Sequence, residues 1–199
     1  YISINEHESV ICMADVSGKG MAAALLMSNF QANLRVMLKY SHSLKDVVTE
    51  LNKTVSKSAK GEKFITFFIA KVNSHSQKIT YINAGHNHPF LFNDNKFTLL
   101  DKGTVGLGMF DDLPFIRQGE EDFTPGSLLL CYTDGVVELE NPNGEDFGIE
   151  SLMELVKKYQ EVFTMKDLHM VLMDAFDQFR AGVPYPDDLT LMSLKLIDN

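Results

Sequence analysis

The sequence predicts an α+β fold, a β-sandwich with pairs of helices packed outside it. Three observations carry that expectation. Strand-like segments follow one another through turns of a few residues, which implies antiparallel hairpins. Two pairs of helix-like segments stand apart from the strands, one early and one late in the chain. No βαβ alternation runs through the sequence, so a doubly wound parallel sheet is not expected.

The first strand signal is YISI, where Ile2 and Ile4 alternate with polar residues ahead of the turn NEHE. VICMADV at 10–16 reads as a buried strand from its apolar density and β-branched ends. SGKG at 17–20 breaks it. From Met21 to Tyr40 there is no Gly or Pro, and apolar residues at 26, 30, 34, 37 and 38 keep helical spacing. A second helix is expected from Leu44 to about Ser58, with Ser43 as N-cap and Asp46 at the third position. Strands dominate next. FITFFIAKV (64–72) and KITYINA (78–84) are joined by the polar turn NSHSQ, and PFLFN and KFTLL flank Asp94-Asn95 as a hairpin. PFIRQGEEDF (114–123) and SLLLCYT (127–133) are separated by the turn Thr124-Pro125-Gly126-Ser127. Helices are expected over Ile149–Tyr159 and, behind the cap pair Thr164 and Asp167, on to about Arg180. LTLMSLKLI at 189–197 closes the chain as a strand. With no internal repeat or Pro/Ser-rich linker, residues 1–199 read as one domain.

Composition narrows the function classes. A hydrophobic content of 45% and a charged content of 23% are those of a globular protein able to bury its own core. Cys12 and Cys131 sit inside apolar runs and read as reduced core thiols, which points to the cytoplasm. The formal net charge of −9 argues against nucleic-acid binding, which needs a basic surface. No apolar stretch approaches the roughly 20 residues of a membrane helix, so this domain is expected to make no membrane contact. The abrupt opening on YISI, without Met, reads as a segment of a longer protein.

Three acidic spots share one local setting. Asp15 ends the apolar run VICMA, Asp134 follows LLLCYT, and Asp187 and Asp188 precede the last strand. A carboxylate beside dense apolar sequence is costly unless something positive satisfies it. Three such ends brought together would make an oxygen cage of the kind Mg²⁺ or Mn²⁺ prefers. Each Asp taken singly is also an ordinary turn residue. Other chemistries fail on spacing. Neither cysteine is followed six positions later by Arg: Gly18 and Val137 stand there. Gly18-Lys19-Gly20 lacks the glycine and hydroxyl residue of a P-loop, and HExxH, CxxC and GxSxG are absent. His86 and His88 in AGHNHP are read as shaping a loop by hydrogen bonds, and Glu6 and Glu8 as exposed hairpin residues.

The segments ADVSGKGMAAALLMS (14–28), INAGHNHPFLF (82–92), VGLGMF (105–110), LLLCYTDGVVELENPNGEDFG (128–148) and DDLTLMSLKL (187–196) together resemble the SpoIIE/RsbU branch of the PPM-type (type 2C) phosphatases. The resemblance implies an αββα sandwich of two antiparallel sheets flanked by helix pairs. It implies hydrolysis of phosphoserine or phosphothreonine on a protein, with Mn²⁺ or Mg²⁺ held by Asp15, the Val16 carbonyl, Asp134 and Asp187, and with Asp188 in support. Helix 21–40 and its partner correspond to that family's regulatory switch element. The implied substrate is a phosphorylated STAS-domain antagonist of an anti-sigma factor, with a sensory domain upstream and room for a homodimer. The family carries one more metal-binding Asp in a Gly-Gly-Asp segment on the strand that would precede Tyr1. The intact domain is therefore expected to hold two ions per site, and this segment one. The competing expectation is a non-catalytic, phosphatase-like module that binds a partner.

Overall fold

The computed structural model describes residues 1–41, 43–161 and 164–197. In chain order the elements are β1 (Ile2–Ser3), β2 (Glu8–Val16), α1 (Met21–Tyr40), α2 (Leu44–Ala59), β3 (Ile65–Asn73), β4 (Lys78–Ala84), β5 (Phe90–Asn93), β6 (Lys96–Leu99), β7 (Gly103–Thr104), β8 (Gly119–Asp122), β9 (Leu128–Tyr132), α3 (Asp134–Val137), α4 (Gly148–Tyr159), α5 (Met165–Arg180) and β10 (Leu191–Lys195). They gather into two compact units, one of residues 1–86 with 100–124 and one of residues 87–99 with 125–199. No helix of the described residues is long and apolar enough to cross a membrane.

In the first unit the sheet runs β1-β2-β3-β4, with β7 and β8 both on β4. β2 and β3 pair antiparallel from Glu8↔Asn73 to Val16↔Ile65. Because side chains alternate along a strand, Val10, Cys12, Ala14 and Val16 enter one core with Leu26, Phe30 and Leu34 of α1 and Val48, Leu51 and Val55 of α2. Ile11, Met13 and Asp15 belong to the other face. Burying each large side chain of that core contributes about 1.5–3 kcal/mol, which explains why the four-residue spacing in α1 is kept through Leu26, Phe30, Leu34 and Leu38. α2 starts where expected, with Ser43 Oγ accepting from the Asp46 N–H at 3.3 Å.

Three expectations need correction here. The strand expected over 114–123 shrinks to Gly119–Asp122, because residues ahead of it leave the ladder: the Arg117 N–H donates to the Gly103 carbonyl and its guanidinium lies 5.5 Å over the Phe115 ring. Two glycines let β7 and β8 lie on β4, since a Cβ at Gly103 would stand 1.6 Å from the Asn83 oxygen and one at Gly119 2.2 Å from the Tyr81 ring. The sheet is not wholly antiparallel, as β4 and β7 pair parallel through Asn83↔Gly103 and Ala84↔Thr104. Glu8 is half-buried rather than exposed, with Asn5 and Asn73 donating to its carboxylate and Lys71 Nζ at 3.7 Å.

The second unit has the sheet order β10-β9-β5-β6. Asp94 and Asn95 take φ of 47° and 59°, the left-handed pair that a tight hairpin between β5 and β6 requires. β9 is buried along its whole length. Its Leu128, Leu130 and Tyr132 join Phe90 and Phe92 in a core with Leu152 and Val156 of α4 and Leu168, Leu172 and Phe176 of α5. α5 begins with a full capping box: Thr164 Oγ1 accepts from the Asp167 N–H, and the Asp167 carboxylate accepts from the Thr164 N–H, both at 3.1 Å. Both cysteines are free thiols, and burial pushes the Cys12 thiol up from its usual range.

Candidate active site

Asp15 is the last residue of its row on β2, exposed and directly opposite Thr66 of β3. Residues opposite one another in a ladder share a face, so Thr66 is its lateral neighbour. Thr66 Oγ1 lies 3.0 Å from His86 Nδ1. His86 is buried, and its backbone N–H donates to Asn83 Oδ1 at 2.8 Å. Its loop-shaping role is as the sequence suggested; the link through Thr66 to the position beside Asp15 was not foreseen. Val16, paired with Ile65, ends the strand.

The turn after Val16 is fixed by β3 rather than by its own sequence. The Ser17 N–H donates to the Phe64 carbonyl and the Phe64 N–H to Ser17 Oγ, each at 2.9 Å. Lys63 Nζ donates to the Ser17 carbonyl at 3.3 Å. Gly18 has φ +78°, and a Cβ there would stand 2.8 Å from that ammonium. Gly20, with φ 88°, then opens α1 without any side-chain cap. Asp15 and α1 are thus joined by a short segment whose Ser17 is clamped and whose glycines take left-handed geometry.

In the second unit Asp134 is not the end of a strand but the first residue of a helical turn, α3, whose N-cap is Thr133. Thr133 does the joining. Its N–H donates to the Thr190 carbonyl, its Oγ1 donates to the Asp188 carbonyl at 3.1 Å, and the Thr190 N–H returns to that Oγ1 at 2.9 Å. The segment carrying Asp187 and Asp188 is thereby tied to the one carrying Asp134. Contact is close enough that a Cβ on Gly135 would lie 2.7 Å from the Asp188 carbonyl oxygen and 3.3 Å from that of Asp187. Asp134 Oδ1 accepts from the Gly135 N–H at 2.9 Å, and Asp187 Oδ1 from the Asp188 N–H at 2.8 Å. Among the described residues, neither carboxylate nor that of Asp188 takes part in an ion pair. Sequence reasoning found the aspartates but missed Thr133; the signal was the threonine directly ahead of Asp134-Gly135.

The donors of this pair of segments suit a hard divalent cation: they are oxygens only, and no lysine or arginine among the described residues neutralises them. Two tied carboxylate segments are fewer than a closed site requires, and among the described residues no group of three or more His, Cys, Asp or Glu side chains is gathered to hold a metal ion.

Comparison with known proteins bears on this geometry. A model of the family described as Stage II sporulation protein E (SpoIIE) matches residues 5–197. Phosphoserine phosphatase RsbU of Bacillus subtilis (strain 168) is 29% identical over 185 residues, covering 85% of this chain and 55% of RsbU. The chain therefore spans about half the length of that relative. The solved SiaA-PP2C domain of Pseudomonas aeruginosa superposes with a TM-score of 0.84 at 15% identity, covering 98% of this chain and 78% of the other. RsbX, solved in complex with magnesium, superposes with a TM-score of 0.68 at 17% identity, covering 97% and 83%. The fold is that of the PP2C phosphatase domains.

Proposed function

The chain belongs to the SpoIIE family, of PPM-type phosphatase domains, and from that membership we propose that it hydrolyses phosphoserine or phosphothreonine esters on a protein. The relative RsbU is by name a phosphoserine phosphatase. The observation that carries the reading is the Thr133 join, which holds the Asp134 and Asp187 segments side by side with no cation among the described residues paired to either carboxylate. Two acidic segments tied together with none of the chain's own described cations paired to them leave their oxygens available to a ligand of opposite charge.

The residues assigned to Mn²⁺ or Mg²⁺ are Asp15, the Val16 carbonyl, Asp134 and Asp187, as parts of one phosphatase domain spanning 1–199; RsbX, a neighbour in fold, is known with magnesium. Bound there, such ions supply Lewis-acid stabilisation of the phosphoryl oxygens and an ionised water as nucleophile. The chain's own part is orientation. Asp188 steadies Asp187 through its N–H and answers Thr133 through its carbonyl. Thr66 and His86 brace the strand position beside Asp15. The proposed substrate is a phosphorylated STAS-domain antagonist of an anti-sigma factor, met in the cytoplasm downstream of a sensory domain. That choice rests on the resemblance of the five motif segments.

The test measures Mn²⁺ binding by electron paramagnetic resonance and phosphate release from a phosphoserine-bearing STAS protein, on the complete protein. Asp15→Asn, Asp134→Asn and Asp187→Asn are each expected to lower the rate by at least about 100-fold with the thermal midpoint retained, because removing charge from a metal cage weakens both affinity and water activation. Full turnover in EDTA, or in Asp134→Asn, would sink the proposal. A second reading, a non-catalytic module that binds phosphoprotein, draws on the absence of a gathered three-residue metal group among the described residues. Tight binding of the phosphoprotein with no turnover at saturating Mn²⁺ would select it.

A further inference from the structure

Two turns of the first unit repeat one sequence pattern. Asn5-Glu6-His7 lies between β1 and β2, and Asn73-Ser74-His75 leads from β3 towards β4, so each turn sets a histidine two residues after an asparagine. The asparagines act alike. Asn5 Oδ1 accepts from the N–H groups of His7 and Glu8, each at 2.9 Å. Asn73 Oδ1 accepts from those of His75 and Ser76, at 3.0 and 2.8 Å. The turns are also tied to each other: the Ser74 N–H donates to the His7 carbonyl at 2.9 Å and Ser74 Oγ to the same oxygen at 3.3 Å. Both histidine backbones are therefore fixed, while both side chains are exposed.

The two rings meet, with centroids 5.6 Å apart and planes inclined by 41°. Two imidazoles on one tetrahedral Zn²⁺, with Zn–N of about 2.0–2.1 Å, hold their centroids roughly 5 Å apart. The observed pair is within about half an ångström of that arrangement, a change that small side-chain rotations supply. Among the described residues, no hydrogen bond or ion pair engages a ring nitrogen of either histidine. Charge favours a cation here. The two turns bring Glu6 and Glu8 but no lysine or arginine. The flanking basic residues, Lys71 and Lys78, pair with Glu8 at 3.7 Å and with Asp122 at 2.6 Å. Imidazole nitrogen suits Zn²⁺ and Cu²⁺, whereas Mg²⁺ and Mn²⁺ prefer oxygen. The pair and Asp15 lie near opposite ends of the β2–β3 ladder, roughly 24 Å apart at 3.4 Å per residue.

We propose that His7 and His75 form a surface site for Zn²⁺, which clips the turn after β1 to the turn after β3, with water completing the shell. The site is independent of the chemistry of Asp15, Asp134 and Asp187. The test is calorimetric titration of the complete protein with Zn²⁺, in excess Mg²⁺ to fill the oxygen sites. His7→Asn and His75→Asn are each expected to weaken Zn²⁺ binding at least about tenfold, since losing a ligand costs no less than losing a group that orients one. The double variant is expected to bind no more weakly than either single one, because one remaining histidine cannot chelate; additive losses would instead mark two separate histidines. Cu²⁺ serves as a probe of the donors: its electron paramagnetic resonance should show splitting from two nitrogens, lost in each variant. In EDTA all variants should melt with the wild type, because Asn5 and Asn73 rather than the rings hold the turns. Zn²⁺ at ten times its dissociation constant should raise the wild-type midpoint by about 3–6 °C and leave the double variant unmoved. Zn²⁺ affinity indifferent to both single variants, additive losses, or a Cu²⁺ spectrum unchanged by either variant overturns the proposal.

Discussion

Asn52 offers the sharpest test of how the first unit holds the loop that carries VGLGMF. It is buried on α2, with 1% of its surface exposed. Its Nδ2 donates to the Phe110 and Asp111 carbonyls, each at 3.0 Å, and its Oδ1 accepts from the Gly108 N–H at 2.9 Å. One side chain therefore satisfies three backbone groups of a turn that makes only sparse ladder contact, the Ile65↔Leu107 bridge. Gly108 cannot move aside freely, since it has φ +85° and a Cβ there would lie 2.5 Å from Val55 Cγ1. Asn52→Leu removes all three bonds while keeping the same branching of heavy atoms. Phe110 and Asp111 are exposed and their carbonyls can turn to water, whereas the Gly108 N–H is left stranded. A stranded buried donor costs about 1–3 kcal/mol and each of the two exchanged bonds about 0.5–1.5 kcal/mol, so a loss of about 2–6 kcal/mol is expected. For a chain of this length that lowers the thermal midpoint by roughly 4–24 °C. Circular dichroism melts measure it, and limited chymotryptic cleavage after Phe110 should accelerate in parallel. A midpoint within about 1 °C of wild type, with unchanged cleavage, would refute the idea that Asn52 organises this loop.

Other expectations follow from single contacts. Gly135→Ala pushes a methyl against the Asp188 carbonyl, 2.7 Å away; Mn²⁺ titration of activity should show affinity weakened about tenfold or more, and an unchanged titration would mean the join is not needed. Burial holds the His169 pKa below its usual value, with Ser193 Oγ 2.8 Å from its Nε2. The unfolded chain then binds the proton more readily, so this stabilisation is present above about pH 6.5 and is lost as pH falls towards the folded-state value. His169→Gln should flatten the stability–pH slope in that window, as read by urea midpoints. Ala23 is buried while Ala24 is exposed; Ala23→Leu should cost about 1–3 kcal/mol by overpacking and shift the Mn²⁺ requirement, while Ala24→Leu leaves both melt and titration near wild type. If Ala23→Leu loses activity only in proportion to folded protein, α1 does not act on Asp15.

The long elements were legible because their periods are long enough to count. α1, α2 and α5 each repeat an apolar face over several turns, and Ser43 and Thr164 mark the starts of the latter two. β7 was illegible since two residues have no period, and the only trace of it is a glycine, Gly103, where two backbones nearly touch. α3 was hidden inside the apolar run LLLCYTDGVV, which reads as strand until Asp134 turns the chain. At the candidate site the aspartates stood out because charge beside apolar sequence is rare. The threonines did not. Thr133 gets its role from Asp188 and Thr190, and Thr66 from Asp15 across the ladder and from His86. Such roles belong to spatial neighbours, which no local pattern encodes.

Both units solve the same problem in the same way. An exposed or half-exposed carboxylate has many rotamers, and holding it costs entropy. In the first unit Asp15 sits on β2, whose nine residues are all paired to β3, and Ser17 beyond it is clamped by Lys63 and Phe64. In the second, Asp134 follows the wholly buried β9, and Thr133 binds it to the approach to β10. Among the described residues, no lysine or arginine is spent on the tied carboxylates of Asp134 and Asp187. Gly18 and Gly135 stand immediately beside these anchors, at points where a Cβ would meet another group under 3 Å away. Local rules are broken there, through left-handed backbone at Gly18 and through like charges at Asp134, Asp187 and Asp188, while the packing around them is regular. Left-handed backbone is not special to Gly18, since Asp94, Asn95 and Gly108 adopt it too; what sets these anchors apart is that they stand on paired or buried strands, and precision in ligand placement comes from the scaffold rather than from the ligands themselves.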